Sequence, residues 1–228
     1  MNADLLRRGL AELSLPADGP LADRLLRYAA EIEAWNPAYG LVGASGDELI
    51  VKHLLDSLAP LAVIKELLEG IASSRSPGAL SKDRPELRLA DLGTGAGLPG
   101  IPLALAFPEA RVALVDRMTR RIRFLEAMRD QLPLPNVDIV EEQVEHARGR
   151  WDLLTFRAFR PFERKLFKRV FALCETDGFV VAYKGKADKA QTELAEIEGL
   201  YSSAEIRPVA VPFLEDERCL VVLRPARR

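Results

Sequence analysis

Gly93, Gly95 and Gly97 crowd into five residues, preceded by an acid, Asp91, and followed by Leu98-Pro99-Gly100. Glycines placed so densely serve a turn that needs positive φ and an open approach to the backbone. As a ligandless strand–helix turn they would be only an entropic cost. The run Arg88 to Leu92 reads as a buried strand, and Ile101 to Phe107 as the helix after the turn, with Pro102 in its first turn where a missing N–H costs nothing. The loop is therefore expected to deliver a row of backbone N–H groups beside the carboxyl end of a strand, where nucleotide-like ligands sit in open α/β sheets. A dinucleotide fingerprint is spaced G-x-G-x-x-G. The spacing here is G-x-G-x-G, and Asp91 is badly placed for a pyrophosphate. An acid there suits a ligand with an ammonium group and no phosphate, such as the methionine part of S-adenosylmethionine. Asp116 ends the next apolar run, 23 residues after Gly93, where a carboxylate accepts ribose hydroxyls.

The elements that must position these residues follow from hydrophobic periodicity. Strands are expected near 88–92, 111–115, 137–140, 152–156, 178–183, 201–211 and 217–224, and helices near 101–107, 119–131, 161–174 and 187–197. Such alternation predicts a mainly parallel sheet wrapped by helices, α/β in class. The last two strands have no helix between them and are expected to form an antiparallel hairpin. A seven-stranded sheet of this kind is the signature of the class I S-adenosylmethionine-dependent methyltransferase fold. Upstream, helices are expected over 3–15, over Leu21 to Trp35 with a stop at Trp35-Asn36-Pro37, and over 47–68 with a break near Pro60. Residues 1–69 thus read as a helical cap, the Ser/Pro/Gly-rich stretch 70–87 as a mobile linker, and 88–228 as the sheet domain.

Composition narrows the function classes. A net charge of −2 argues against a generally basic nucleic-acid coat, though not against a local basic face. Cys174 and Cys219 fit no metal spacing and read as interior thiols. His53 and His146 are the only histidines, so a histidine-rich metal site is excluded and no metal is expected. No apolar run reaches membrane-spanning length and the start shows no signal peptide, which predicts a cytoplasmic protein.

The motifs resemble one family, the bacterial small-subunit rRNA guanine-N7 methyltransferases. Asp91 to Leu103 carries the most specific block, with its Leu-Pro-Gly-Ile-Pro continuation. Trp35-Asn36 with Tyr39, Val51 to Leu58, Arg121 to Leu125, Arg157-Ala158-Phe159 and Tyr183-Lys184-Gly185 match further blocks, so that the likeness covers roughly residues 31–185. Departures at Gly40-Leu41-Val42, Phe156 and Arg117 leave the glycine loop untouched. The resemblance implies a donor site for S-adenosylmethionine lined by Gly93, Leu98, Val144, Glu145 and Arg157, beside Asp91, Gly95, Gly97 and the ribose acid Asp116. It implies a guanine of 16S rRNA in the small ribosomal subunit as substrate. A monomer is expected.

Arg157 and Lys184 end successive strands and are the candidate catalytic groups, a fixed guanidinium fork and a point charge in one crevice. Arg157, following a buried run, needs a partner, and Asp91 or Asp116 are the candidates. Arg121, Arg123, Arg160 and Lys184 are the candidate RNA contacts among basic clusters that also include Arg164, Lys165, Lys168 and Arg169. His53 reads as packed between cap and sheet, and Trp35 as a core residue, with base stacking the alternative for Trp35 and Tyr39. Guanine N7 carries a free lone pair in the major groove, so no general base is needed. The rivals are a small-molecule methyltransferase, an NAD-dependent oxidoreductase and a non-catalytic ribosome-assembly factor retaining the fold.

Overall fold

The structure is a computed structural model that describes residues 1–75, 86–158 and 160–226. Seven strands form one sheet: β1 (Arg88–Leu92), β2 (Arg111–Asp116), β3 (Val137–Glu141), β4 (Trp151–Arg157), β5 (Cys174–Lys184), β6 (Tyr201–Pro208) and β7 (Cys219–Pro225). Their order is β3-β2-β1-β4-β5-β7-β6. The first five run parallel, and β7 is antiparallel to both β5 and β6. The strand order reverses between β1 and β4, so the crevice above their carboxyl ends is the ligand position of an open α/β sheet.

Period-two alternation sends side chains to two cores. Leu89, Val112, Leu114, Leu153, Val181, Leu220 and Val222 face one way, and Ala90, Leu92, Val115, Leu154, Phe156, Val180 and Val221 the other. The first face is covered by α1 (Ala3–Glu12), α2 (Pro20–Tyr39), α5 (Leu61–Ser74), α6 (Gly100–Ala106) and α7 (Thr119–Gln131). Between α2 and α5 lie α3 (Gly46–Leu49), a π-helical segment (Ile50–Leu55) and α4 (Asp56–Leu58). The second face is covered by α8 (Arg164–Leu173) and α9 (Ala187–Glu196). The N-terminal helices therefore share a core with the sheet: Leu6, Leu25, Ile32, Leu54 and Ile64 are fully buried with Leu89 and Leu114.

Two sequence expectations are corrected here. Helix α2 does not stop at Trp35-Asn36-Pro37; it carries Pro37 inside it and ends at Tyr39, with Gly40 left-handed at φ 58°. Pro37 removes one helix bond in a last turn that ends anyway. The Asn36 side chain supplies the stop by accepting from Leu41 and Val42 N–H and donating to the Val42 carbonyl. Trp35 packs edge-on against Tyr39 and Phe124, as expected of a core residue. In the stretch read as a linker, residues 70–74 belong to α5, and Arg75 bridges Asp152 and Asp177. Residues 76–85 lie outside the described residues, as does Phe159.

Candidate functional site

The glycine loop is tied down from both sides. Gly93 and Thr94 donate to the Val115 carbonyl at 2.8 and 3.0 Å, and Gly97 and Leu98 to the Thr94 carbonyl. Gly95 N–H donates to Asp116 Oδ2 at 2.9 Å, and Gly100 N–H to Asp91 Oδ2 at 2.8 Å. The expected row of N–H groups is mostly spent: Gly93, Thr94, Gly95, Gly97, Leu98 and Gly100 use their amides on the loop's own scaffold. A loop arranged in this way holds no pyrophosphate, which removes the dinucleotide reading.

The three glycines do different work. All have positive φ, at 69°, 62° and 91°. A Cβ on Gly97 would stand 2.6 Å from Ile101 and 3.1 Å from Leu125, so this glycine permits packing against α6 and α7. A Cβ on Gly95 would meet nothing within 4 Å and would project into open space. Leu98, expected at the donor, is 5% exposed and belongs to the core under the loop.

Asp91 also departs from expectation. It is fully buried, and no face of it reaches the crevice. Oδ2 accepts from Thr94 Oγ1 at 2.6 Å and from Gly100, while Oδ1 is buried without a partner. It holds the loop from beneath, as does Tyr28 of α2, whose hydroxyl donates to the Ala96 carbonyl at 2.5 Å. Burial pushes the Asp91 carboxyl up to about 6, against the hydrogen bonds from Thr94 and Gly100 that favour its charge. The native state then keeps a proton that the unfolded chain has lost, so this group's contribution to stability falls as pH rises from about 4 to about 6 and stays flat above. The rise from 3.8 to about 6 corresponds to roughly 3 kcal/mol. Asp91→Asn cannot titrate. Its stability relative to the parent is expected to climb by up to that amount between pH 4 and pH 7, read by denaturant unfolding; a difference independent of pH would refute the assignment.

Two cavities adjoin at the carboxyl edge of the sheet. One, of about 280 Å³, is lined by Gly93, Asp116, Arg121, Val144, Glu145 and Arg160, among others. The other, of about 470 Å³, is lined among others by Lys52, Asp56, Arg157, Lys184, Lys189 and Arg218. Ala158 lines both, left-handed at φ 49°, a conformation that costs a non-glycine residue about 1–2 kcal/mol. A larger cavity of about 830 Å³ lies at the opposite edge, around the start of β5.

The smaller cavity fits a nucleoside with a cationic tail. Gly93 lines it without a side chain, Val144 gives an apolar wall, and Asp116 and Glu145 give acids. Asp116 is 3% exposed and held by Gly95, by Met118 N–H and by Arg121 at 3.2 Å, which leaves acceptor capacity for a hydroxyl. Arg121, expected to contact RNA, is thus paired inside the smaller cavity. Arg160 is paired with Glu145, whose carboxyl it holds below the usual range. Of the four expected RNA contacts, Arg123 stands exposed on α7.

In the larger of the two, the partner of Arg157 is neither Asp91 nor Asp116. Its guanidinium donates to Asp56 Oδ2 at 2.8 Å and to the Lys52 carbonyl at 3.0 Å, and lies 2.8 Å from His53 Nδ1. Asp56, 6% exposed, also takes Arg218 Nε on Oδ1 at 3.0 Å. The buried acid that follows the π-helical segment therefore clamps two arginines, one at the end of β4 and one just before β7. Burial and the Arg157 charge lower His53 to about 4, so it stays neutral near pH 7. Lys184 arrives from the other sheet face, 2.5 Å from Glu193 and 4.2 Å above the Phe162 ring. Asp56, Arg218, Tyr28 and Glu193 were not singled out from the sequence. An acid between Leu55 and Leu58 on an apolar helix was the available signal for Asp56.

Comparison with known proteins decides the family. The model of the GidB family, rRNA small subunit methyltransferase G, matches residues 22–221. The chain belongs to this family. The Ribosomal RNA small subunit methyltransferase G of Treponema denticola is 33% identical over 96% of this chain and 93% of its own. That of Legionella pneumophila is 35% identical, with the same coverage. The fold is shared with magnesium protoporphyrin IX methyltransferase from Synechocystis (TM-score 0.55, 15% identity, 86% of this chain and 97% of that one). It is shared too with tRNA (m1A58) methyltransferase from Aquifex aeolicus (TM-score 0.52, 15% identity, 62% and 63%). The family match spans both cavities and every residue that lines them. Among the described residues no helix is long and apolar enough to cross a membrane, and no cluster of metal-ligating side chains occurs.

Proposed function

We propose that this member of the methyltransferase G family transfers a methyl group from S-adenosylmethionine to N7 of a guanine in the 16S rRNA of the small ribosomal subunit, as a cytoplasmic monomer. The observation that carries the reading is the pair of cavities meeting at Ala158, one with two acids and Gly93, the other rimmed by Lys52, Arg157, Lys184, Lys189 and Arg218. Gly93, Gly95, Asp116, Val144 and Glu145 hold the donor. When bound there, it supplies a methyl group on a cationic sulfur.

Everything else is alignment. Guanine N7 attacks through a lone pair that carries no proton, so the site needs no base. His53 offers none, since its Nδ1 faces Arg157 and its pKa is lowered to about 4. The work of the chain is to hold nucleophile and methyl carbon in line, which removes an entropic barrier. Arg157 and Arg218, fixed by Asp56, present donors in a set orientation to a phosphate or to guanine O6. Lys184 adds a positive charge from the opposite wall.

The test is methyl transfer from labelled S-adenosylmethionine to small subunits that lack their own N7 mark, with the nucleoside identified by mass spectrometry. Label as 7-methylguanosine at one position is the expected result. Donor binding without RNA-dependent transfer would favour the small-molecule or assembly-factor reading. Asp116→Ala is expected to weaken donor binding at least about tenfold, by loss of a hydrogen bond to a charged group; full affinity in that variant would remove the ribose assignment.

A further inference from the structure

The cations at the mouth of the two cavities are largely neutralised. Arg121 is paired with Asp116, Arg157 and Arg218 with Asp56, Arg160 with Glu145 and Lys184 with Glu193. Phosphate recognition needs charge that is not already spent on carboxylates, because affinity comes from replacing condensed counterions. At the cavity rims that leaves, among the described residues, Arg117, Lys186 and Lys189, and a denser run lies outside the cavities. Helix α8 carries Arg164, Lys165, Lys168 and Arg169 and no acid, in a chain of net charge −2. All four are exposed. Among the described residues none of them has a carboxylate ion pair: Arg164 donates to the Glu198 carbonyl at 2.7 Å and Arg169 to the Glu145 carbonyl at 2.9 Å. The nearest acid in sequence is Glu163, exposed at the start of the helix.

The helix is placed to extend the site. Its inner face is fixed by Leu166, Phe167, Val170 and Leu173 in the second core. Its first turn follows Arg160 and Pro161, which line the two catalytic cavities, and Lys168 lines the large cavity at the far edge of the sheet. Ten residues of helix span about 15 Å. The Arg169 bond to Glu145 holds the loop after β3 alongside, and that loop adds Arg148, also exposed and without an ion pair among the described residues.

We propose that the outer face of α8 is a second docking surface, separate from the two cavities, that binds the phosphate backbone of rRNA flanking the target nucleotide. This rests on the methyl-transfer reading above for the identity of the RNA. The face is basic without being apolar, so the occupant is a polyanion held by charge. Lys165 and Lys168 bear on neither cavity of the catalytic edge.

The experiment compares the parent with Lys165→Gln/Lys168→Gln, and with Arg24→Gln/Arg27→Gln on α2 as a control for charge on the other face. Binding of protein-free 16S rRNA is titrated across a salt series, and methyl transfer to small subunits is measured in parallel. For the α8 variant the slope of log affinity against log salt is expected to flatten by about one to two, with affinity at moderate salt falling roughly tenfold. KM for subunits rises by a similar factor, while kcat and donor affinity stay unchanged. An unchanged slope, or an equal change in the α2 control, would overturn the proposal. So would a KM rise on subunits with unaltered binding of protein-free rRNA, which would place a ribosomal protein on α8. If the parent transfers no methyl group, the reading of the site fails, and the rRNA titration still decides the docking surface.

Discussion

Arg157→Met is expected to slow methyl transfer at least about a hundredfold, the usual scale for removing one preorganised charged donor from an active site. It is also expected to cost the fold about 3 kcal/mol, near the lower end for breaking a buried ion pair, because Arg218 remains on Asp56. Both partners are closed off from water, at 13% and 8% side-chain exposure, so the pair is poorly screened. Its loss vacates Asp56 Oδ2, and leaves the Lys52 carbonyl and His53 Nδ1 without the Arg157 donor. The variant Arg157→Lys keeps a cation beside Asp56 Oδ2 but loses the planar fork. It is expected to recover part of the stability and none of the transfer, so that chemical unfolding and single-turnover rates part company. Recovery of transfer together with stability would make Arg157 a strut between the π-helical segment and the sheet, with no part at the substrate.

Gly97→Ala and Gly95→Ala are expected to fail in opposite ways. At Gly97 a methyl group meets Ile101 and Leu125 with φ at 91°. Strained backbone at about 1–2 kcal/mol and overpacking at about 1–3 kcal/mol add, so the expected result is loss of several kcal/mol of stability, visible in thermal unfolding. At Gly95 only the backbone term applies, about 1 kcal/mol or slightly more, because the methyl group enters open space. With the donor placed on this loop as proposed, the protein is expected to fold and to bind S-adenosylmethionine at least tenfold more weakly, by roughly 1.4 kcal/mol or more. Calorimetric titration of the donor against both folded variants checks the contrast. Equal donor affinity in Gly95→Ala and the parent would move the donor away from this loop.

Neighbourhood explains which side-chain partners the sequence did not show. Arg121, Arg160 and Lys184 look like free cations in sequence, because their partners Asp116, Glu145 and Glu193 sit on other elements and meet them only when strands and helices close up. Asp91 looks like a ligand because an acid before a glycine turn is conspicuous. Its side chain falls on the covered sheet face, with Leu89 on one side and the α2 hydroxyl of Tyr28 close to the loop, so burial turns it into a brace.

The sequence by itself determined the strand and helix order, the antiparallel final pair and the glycine turn at the end of β1, because periodicity, turn chemistry and strand length are local properties. It also placed Asp116 at the end of β2, since that position follows from the same local pattern. Only the tertiary structure decided that α2 runs through Pro37, that most of the loop amides are consumed internally, and that Asp56 joins Arg157 to Arg218 across 101 and 162 residues of sequence. It decided too that the four cations of α8 have no carboxylate partner among the described residues. Whether a charge is free depends on every group that packs against it, and packing brings together residues that no sequence spacing relates.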